Sequence, residues 1–214
     1  MGEEILRSGM PYELLPLIKQ KIIPQKIAVP AALDFDNIIK VQRVRHEWTV
    51  TGGWCLVDVT WTKKLADWIG DRVVLSVMSG FGMLERALQD HGVQVRATDR
   101  HIESFDRCWT HIEAVNCVAA IHKYALKSDI LLMSWAPYDE DAASVAAMEW
   151  RRVRREGGVT DPSWIIFIGE SKGGCTADDK FFDEAQLIEL PEIDAVNKLF
   201  PRFPSIHDRV MVVQ

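Results

Sequence analysis

Arg72-Val73-Val74-Leu75-Ser76-Val77-Met78-Ser79-Gly80-Phe81-Gly82, continued by Met83 to His91 and by Val93-Gln94-Val95-Arg96-Ala97-Thr98-Asp99, is the stretch on which the fold turns. The β-branched, apolar run at 72–78 reads as a strand buried on both faces. Ser79 to Gly82 is a turn, 83–91 a helix stopped by Gly92, and 93–98 a second strand with Asp99 at its tip. A strand, a helix and a second strand in succession are the pattern of a parallel pair joined by a crossover.

Working outward, 59–69 carries apolar residues at Val59, Trp61, Leu65, Trp68 and Ile69, the spacing of a helix with one buried face, ended by Gly70-Asp71. The 41–48 segment alternates and reads as a strand. A helix is expected over 103–112, a short strand or loop at 114–116, and a helix at 118–124. Strands follow at 129–134 and 164–169, separated by a polar helix over 141–156 that Gly157-Gly158 stops. A short helix is expected at 178–185, with an antiparallel strand at 207–213. Strands alternating with helices call for an α/β fold with a mostly parallel sheet covered on both faces. The first forty residues differ in texture: Pro11, Pro16, Pro24 and Pro30 interrupt short apolar runs, which argues against one long helix. The expected organisation is an N-terminal extension over 1–40 lying on an α/β domain over 41–214.

Composition bounds the function. Of 214 residues, 48% are apolar and 26% charged, the balance of a soluble globular chain. A net charge of -6 argues against a broadly basic nucleic-acid surface. The start Met1-Gly2-Glu3-Glu4-Ile5 lacks the basic and apolar regions of a signal peptide, and no apolar run is long enough to span a bilayer, so a cytoplasmic protein is expected. Cys55, Cys108, Cys117 and Cys175 form no paired motif and read as free thiols. With the histidines equally dispersed, no metal site is expected.

The glycine turn lets backbone approach a ligand closely, because a Cβ would collide. A carboxylate at the tip of the second strand can accept hydrogen bonds from both hydroxyls of a ribose. Gly80, Gly82 and Asp99 together suggest an adenosine-containing ligand. The simpler alternatives are a plain tight turn and a helix cap at Asp99. A dinucleotide fingerprint would need a third glycine where Glu85 stands, and Glu85 in the first helical turn would repel a pyrophosphate. No G-K-[ST] follows the glycines, which excludes a phosphate-binding loop.

These residues resemble the first two motifs of class I S-adenosylmethionine (SAM)-dependent methyltransferases. Val74 to Gly82 is similar to the V-L-E-x-G-x-G-x-G motif, and Val95-Arg96-Ala97-Thr98-Asp99 to the V-x-A-x-D motif. Ser76 stands at the family's acidic position, near the methionine end of the cofactor, and Met78 at its first glycine. Asp129 to Tyr138 resembles the fourth strand and the [NDS]-P-P-[YF] loop, with Ser134, Trp135 and Ala136 in place of the usual residues. The resemblance implies a Rossmann-like doubly wound sheet and SAM as cofactor, held by Trp54, Ser76, Ser79, Gly80, Gly82, Asp99, Arg100 and Asn116. It also implies catalytic contributions from Ser134, Trp135, Tyr138 and Glu170. A small molecule or protein side chain is the expected acceptor, and N-methylation is suggested by the 134–138 loop. The segments 168–179 and 206–209 are similar to methyltransferase-like proteins of microbes and fungi. The alternative kept open is a SAM-binding or interaction domain without turnover.

Several of these residues also have plainer readings. Trp135 and Tyr138 can be ordinary loop packing, and Glu170 a solvated carboxylate. Thr176 and Asp179 can form a capping box. Arg151, Arg152, Arg154 and Arg155 read as a solvated helix face, with a phosphate or nucleic-acid contact as the alternative.

Overall fold

The computed structural model describes residues 14–28, 35–102 and 104–214. Its centre is a seven-stranded sheet in the order β3-β2-β1-β4-β5-β7-β6. The strands are β1 (Val74–Val77), β2 (Val95–Asp99), β3 (Ile112–Ala114), β4 (Ile130–Ser134), β5 (Ile165–Gly169), β6 (Leu187–Ile188) and β7 (Arg209–Val213). β1 through β5 pair in parallel, while β7 runs antiparallel to both β5 and β6. The expected α/β class, the parallel sheet and the late antiparallel strand are all present.

The apolar runs of β1, β4 and β5 are divided between two faces by the period-2 alternation of a strand. Val74, Ile130, Leu132, Ile166 and Ile168 go to one side, with α3 (Val59–Ile69), α4 (Met83–Asp90) and α8 (Pro191–Asn197). Leu75, Leu131, Met133, Ile165 and Phe167 go to the other, with α5 (Cys117–Tyr124), α6 (Ala142–Glu156) and α7 (Asp179–Glu184). Local chemistry sets the helix ends. Asp58 caps α3 by accepting from Trp61 N, Asn116 caps α5 through Ala119 N, and Asp178 caps α7 through Phe181 N. Thr176 is therefore not the cap of α7. Its hydroxyl donates to the Glu170 carbonyl instead.

The 41–48 segment is a correction: it lies within α2 (Phe35–Thr49), not in a strand. Its buried residues Val41, Val44 and Trp48 are three and four apart, a helical period that a reading of alternate residues overlooks. The helix expected over 103–112 is replaced by one 3-10 turn, Phe105–Arg107, and by β3. Glu103 lies outside the described residues, as do Pro11 and Pro30. Upstream, α1 (Leu14–Lys19) and the irregular residues after it contribute Leu14, Ile18 and Ile27 to the same cluster as α3. Buried Asp58 accepts from Ile27 N at 2.9 Å while it caps α3, and Val59 N and Thr60 N donate to Pro24 O and Gln25 O, which together hold this segment to the main body. Among the described residues, no helix is long and apolar enough to cross a membrane.

The strand order reverses between β1 and β4: chain to one side continues to β2 and β3, and to the other side to β5. Loops leaving β1 and β4 diverge to opposite faces and open a crevice at the carboxyl ends of the strands.

Candidate functional site

A cavity of about 270 Å³ occupies that crevice. Its walls come from the 52–57 segment, the β1–α4 turn, the tip of β2, the start of α5 and the loop after β4. The β1–α4 turn is a run of left-handed backbone: Met78 has φ 58°, Gly80 φ 56° and Gly82 φ 75°. Ser79 N donates to Thr98 O at 3.1 Å, and Gly80 N donates to Asp99 Oδ2 at 2.8 Å, which clips the turn to the end of β2. Met78 shows why a residue other than glycine stands at this point. It keeps the glycine-like conformation and lays its side chain against the cluster that includes Val77 and Ala120.

Asp99 does not act as a helix cap, since no helix starts there. Its Oδ1 accepts from His101 N at 2.7 Å and its Oδ2 from Gly80 N. A carboxylate has about four lone-pair positions, so each oxygen retains capacity toward the cavity. Arg100 lies at the rim, where it donates to both oxygens of Glu140 at 2.6 and 2.8 Å. Asn116 lines the cavity and caps α5 with the same side chain.

The loop after β4 is equally shaped. Trp135 has φ 53°, and its backbone N donates to Ile168 O at 2.7 Å. Its indole stacks on exposed Trp54, with centroids 5.6 Å apart and planes 18° apart. The indole Nε1 donates to Asp208 Oδ2 at 3.1 Å. Ser134 Oγ and Cys55 Sγ lie 3.5 Å apart. Burial pushes the Cys55 thiol up to about 12, so it is a neutral wall group and not a nucleophile. Burial also raises Asp208 to about 6, against the opposing effects of the Trp135 hydrogen bond and nearby Arg202.

Of the residues singled out in the sequence, Trp54, Ser79, Gly80, Asp99, Arg100, Asn116, Ser134 and Trp135 converge on this cavity. Four do not line it. Gly82 turns the chain into α4 below it, where a Cβ would stand 3.0 Å from Thr110. Ser76 lies beneath the floor and donates to Glu85 Oε1 at 2.6 Å. Tyr138 projects to solvent. Glu170 clasps two loops: Oε1 accepts from His207 N, and Oε2 from the Cys175 N and Sγ. Partial burial pushes Glu170 up, but these hydrogen bonds outweigh it and hold its carboxyl below the usual range. Sequence reasoning missed Glu85, Cys55 and Met83 as lining residues. The signal for Glu85 was its place on the otherwise apolar face of α4, beside buried Met83, Leu84 and Leu88. Among the described residues, no cluster of His, Cys, Asp or Glu could hold a metal ion.

No protein-family model and no curated protein matches the sequence. Among solved structures, the chain is similar to magnesium protoporphyrin IX methyltransferase from Synechocystis PCC 6803 with bound SAM, at 14% identity over 86% of each chain and a TM-score of 0.47. It is similar to a SAM-dependent methyltransferase from Archaeoglobus fulgidus, at 10% identity over 84% of this chain and 99% of that one, TM-score 0.47. It is also similar to human N-acetylserotonin methyltransferase in complex with SAM, at 10% identity over 97% of this chain and 67% of that one, TM-score 0.43. At these values the likeness is one of general architecture, and what the cavity binds rests on its own residues.

Proposed function

We propose that this chain is a SAM-dependent methyltransferase acting on a small molecule or a protein side chain. The observation that carries the reading is the junction of Asp99 with the left-handed Met78-to-Gly82 turn at the edge of the crevice where the sheet order reverses. The donor set suits the cofactor. Asp99 offers acceptors for ribose hydroxyls, Gly80 brings bare backbone to the cavity, and the carboxyl of Glu85 faces a ligand that carries positive charge.

Bound SAM would supply an electrophilic methyl group on a sulfonium. The chain's own task is to orient the acceptor in line with that methyl and to keep water out. The stacked faces of Trp54 and Trp135 are suited to a cationic centre. Ser134 stands beside them and can accept from, or donate to, an acceptor group, which is compatible with N-methylation. The wall beside Ser134 is formed by Trp54, Cys55, Trp135 and Pro137, consistent with a reaction driven by alignment. A cytoplasmic location, an origin in the microbial and fungal branch and no use of nucleic acid complete the proposal.

A second reading, a SAM-binding domain without turnover, draws on Glu170 and on the Trp135 indole, both already engaged within the protein. Calorimetry with SAM and S-adenosylhomocysteine, on the wild type and on Asp99→Ala, tests the binding step. Micromolar binding lost in the variant supports the cofactor site, and no binding to the wild type refutes both readings. Methyl transfer to a panel of amines and thiols then separates the first from the second.

A further inference from the structure

Glu85 is the one feature of the cavity that a purely structural role leaves unexplained. It lies in the first turn of α4, is 1% exposed, and lines the cavity wall. Its side chain reaches the end of β1, where Ser76 Oγ donates to Oε1 at 2.6 Å and Ser79 Oγ donates in turn to Ser76 Oγ at 3.0 Å. Among the described residues, no Lys or Arg pairs with it. The titratable groups around it are Asp99 at the tip of β2, Cys55 from the 52–57 segment and Cys117 at the start of α5. Arg100, His101 and Glu140 stand at the rim, the first and last already paired with each other. A carboxyl in such a place is expensive to ionise and gains nothing from packing that an apolar residue would not supply.

We propose that Glu85 is the cation-recognition residue of this cavity: its carboxyl receives the ammonium of a ligand bearing an amino-acid end, and gives up its proton as that ligand binds. The inference rests on the adenosine-ligand reading above and extends it to the opposite end of the ligand. Ser76 and Ser79 act as positioning residues that hold Oε1 toward the floor. Burial disfavours the charged form of Glu85 and raises its pKa; the neighbouring Asp99 charge adds to the rise, and the Ser76 and Ser79 hydrogen bonds oppose it. An arriving ammonium reverses that preference. The carboxyl O–H bond breaks, its electron pair stays on the carboxylate, the proton passes to solvent, and the ammonium keeps all its own protons. Ser76 at the end of β1 and Glu85 one helical turn into α4 thus act as a unit, the serine orienting a carboxylate that comes from the helix and not from the strand.

Titration calorimetry in buffers of differing ionisation enthalpy tests this, with S-adenosylhomocysteine and 5′-methylthioadenosine as probes, on wild type and Glu85→Gln. The second probe keeps the adenosine and lacks the ammonium. The expected result is proton release on S-adenosylhomocysteine binding that shrinks as pH rises, none with 5′-methylthioadenosine, and roughly 30-fold or greater weakening of S-adenosylhomocysteine alone in Glu85→Gln. Retained 5′-methylthioadenosine binding shows that the variant site is folded. Binding of S-adenosylhomocysteine without proton release, equal affinity in Glu85→Gln, or loss of both probes in that variant overturns the assignment. Failure of the wild type to bind either probe overturns the adenosine reading itself, and this one with it.

Discussion

Asp208 gives the sharpest quantitative test of the architecture behind the cavity. The residue is 2% exposed, and among the described residues only its Oδ2 has a hydrogen-bond partner, the Trp135 indole, while Oδ1 is buried without one. Burial raises its pKa from 3.8 to about 6. The folded protein therefore holds this proton more tightly than the unfolded chain does. The associated stability is fully present below about pH 3.8 and is lost as pH rises through about 6. At about 1.36 kcal/mol per pKa unit, the loss between about pH 4.5 and about pH 7.5 amounts to at most ~2 kcal/mol.

Asp208→Asn removes this titration and leaves an amide oxygen to accept from Trp135 Nε1. Any fixed cost of the amide displaces both ends of the pH range equally. The other raised carboxyls, Asp58 and Glu85, are common to both proteins and cancel in the difference. Urea unfolding of the two proteins at several pH values is the assay. The stability of Asp208→Asn relative to wild type should rise by ~2 kcal/mol from about pH 4.5 to about pH 7.5, or roughly 4–8 °C in Tm for a chain of this size. A difference that does not change with pH would refute the argument, because it would mean that Asp208 ionises as freely in the fold as in water.

Three further outcomes follow from the same geometry. Gly82→Ala combines φ 75° with a Cβ 3.0 Å from Thr110 and 3.1 Å from Ile112 and should cost ~1–3 kcal/mol, whereas Gly80→Ala, at φ 56° with open space around it, should cost only about 1 kcal/mol; urea midpoints separate them. Trp135→Phe strips Asp208 of its one donor and should lower stability by ~1–3 kcal/mol near neutral pH, an effect read in the same urea titrations and contradicted by an unchanged midpoint. Native protein treated with a thiol reagent near neutral pH should be modified at exposed Cys175 well before Cys55, whose thiol burial pushes up to about 12; mass spectrometry showing Cys55 labelled first would overturn the burial assigned to it.

What could be read from the sequence follows from which forces are local. The β1–turn–α4–β2 unit declares itself because a β-branched run, glycines at left-handed positions and a terminal Asp are contiguous. β4 and β5 are legible as short apolar runs for the same reason. The 41–48 stretch of α2 reads as a strand because charged residues between Val41, Val44 and Trp48 leave alternation and helical spacing both visible over eight residues, and only the burial of Trp48 decides between them. α8 carries no ligand-type motif; Pro191 at its first position and the paired hydrogen bonds of Asn197 with Val210 fix it, and the second of these is a tertiary contact. In the site, residues at strand tips were legible because strand ends of a parallel sheet converge. Glu170 and Tyr138 also follow strands, but their direction depends on loops whose partners, such as His207, lie far along the chain.

Two residues that follow strands at the crevice point to one construction. Met78 after β1 and Trp135 after β4 are both non-glycine residues in left-handed backbone, and they flank the reversal of the sheet order. Each costs on the order of 1–3 kcal/mol in strain, so each persists only where its surroundings over-determine it. Those surroundings are present. Ser79 N on Thr98 O and Gly80 N on Asp99 fix the chain after Met78, while Ile168 O, Asp208 and the face of Trp54 fix Trp135. Were these positions glycine, the same turns could form without strain but would bring no side chain to them. With Met78 and Trp135 the protein gains an apolar wall at one edge of the crevice and an aromatic one at the other, both preset before any ligand arrives. Preset walls reduce the ordering cost of binding, which is a reason for a small domain to tolerate strain at two points of a single cavity.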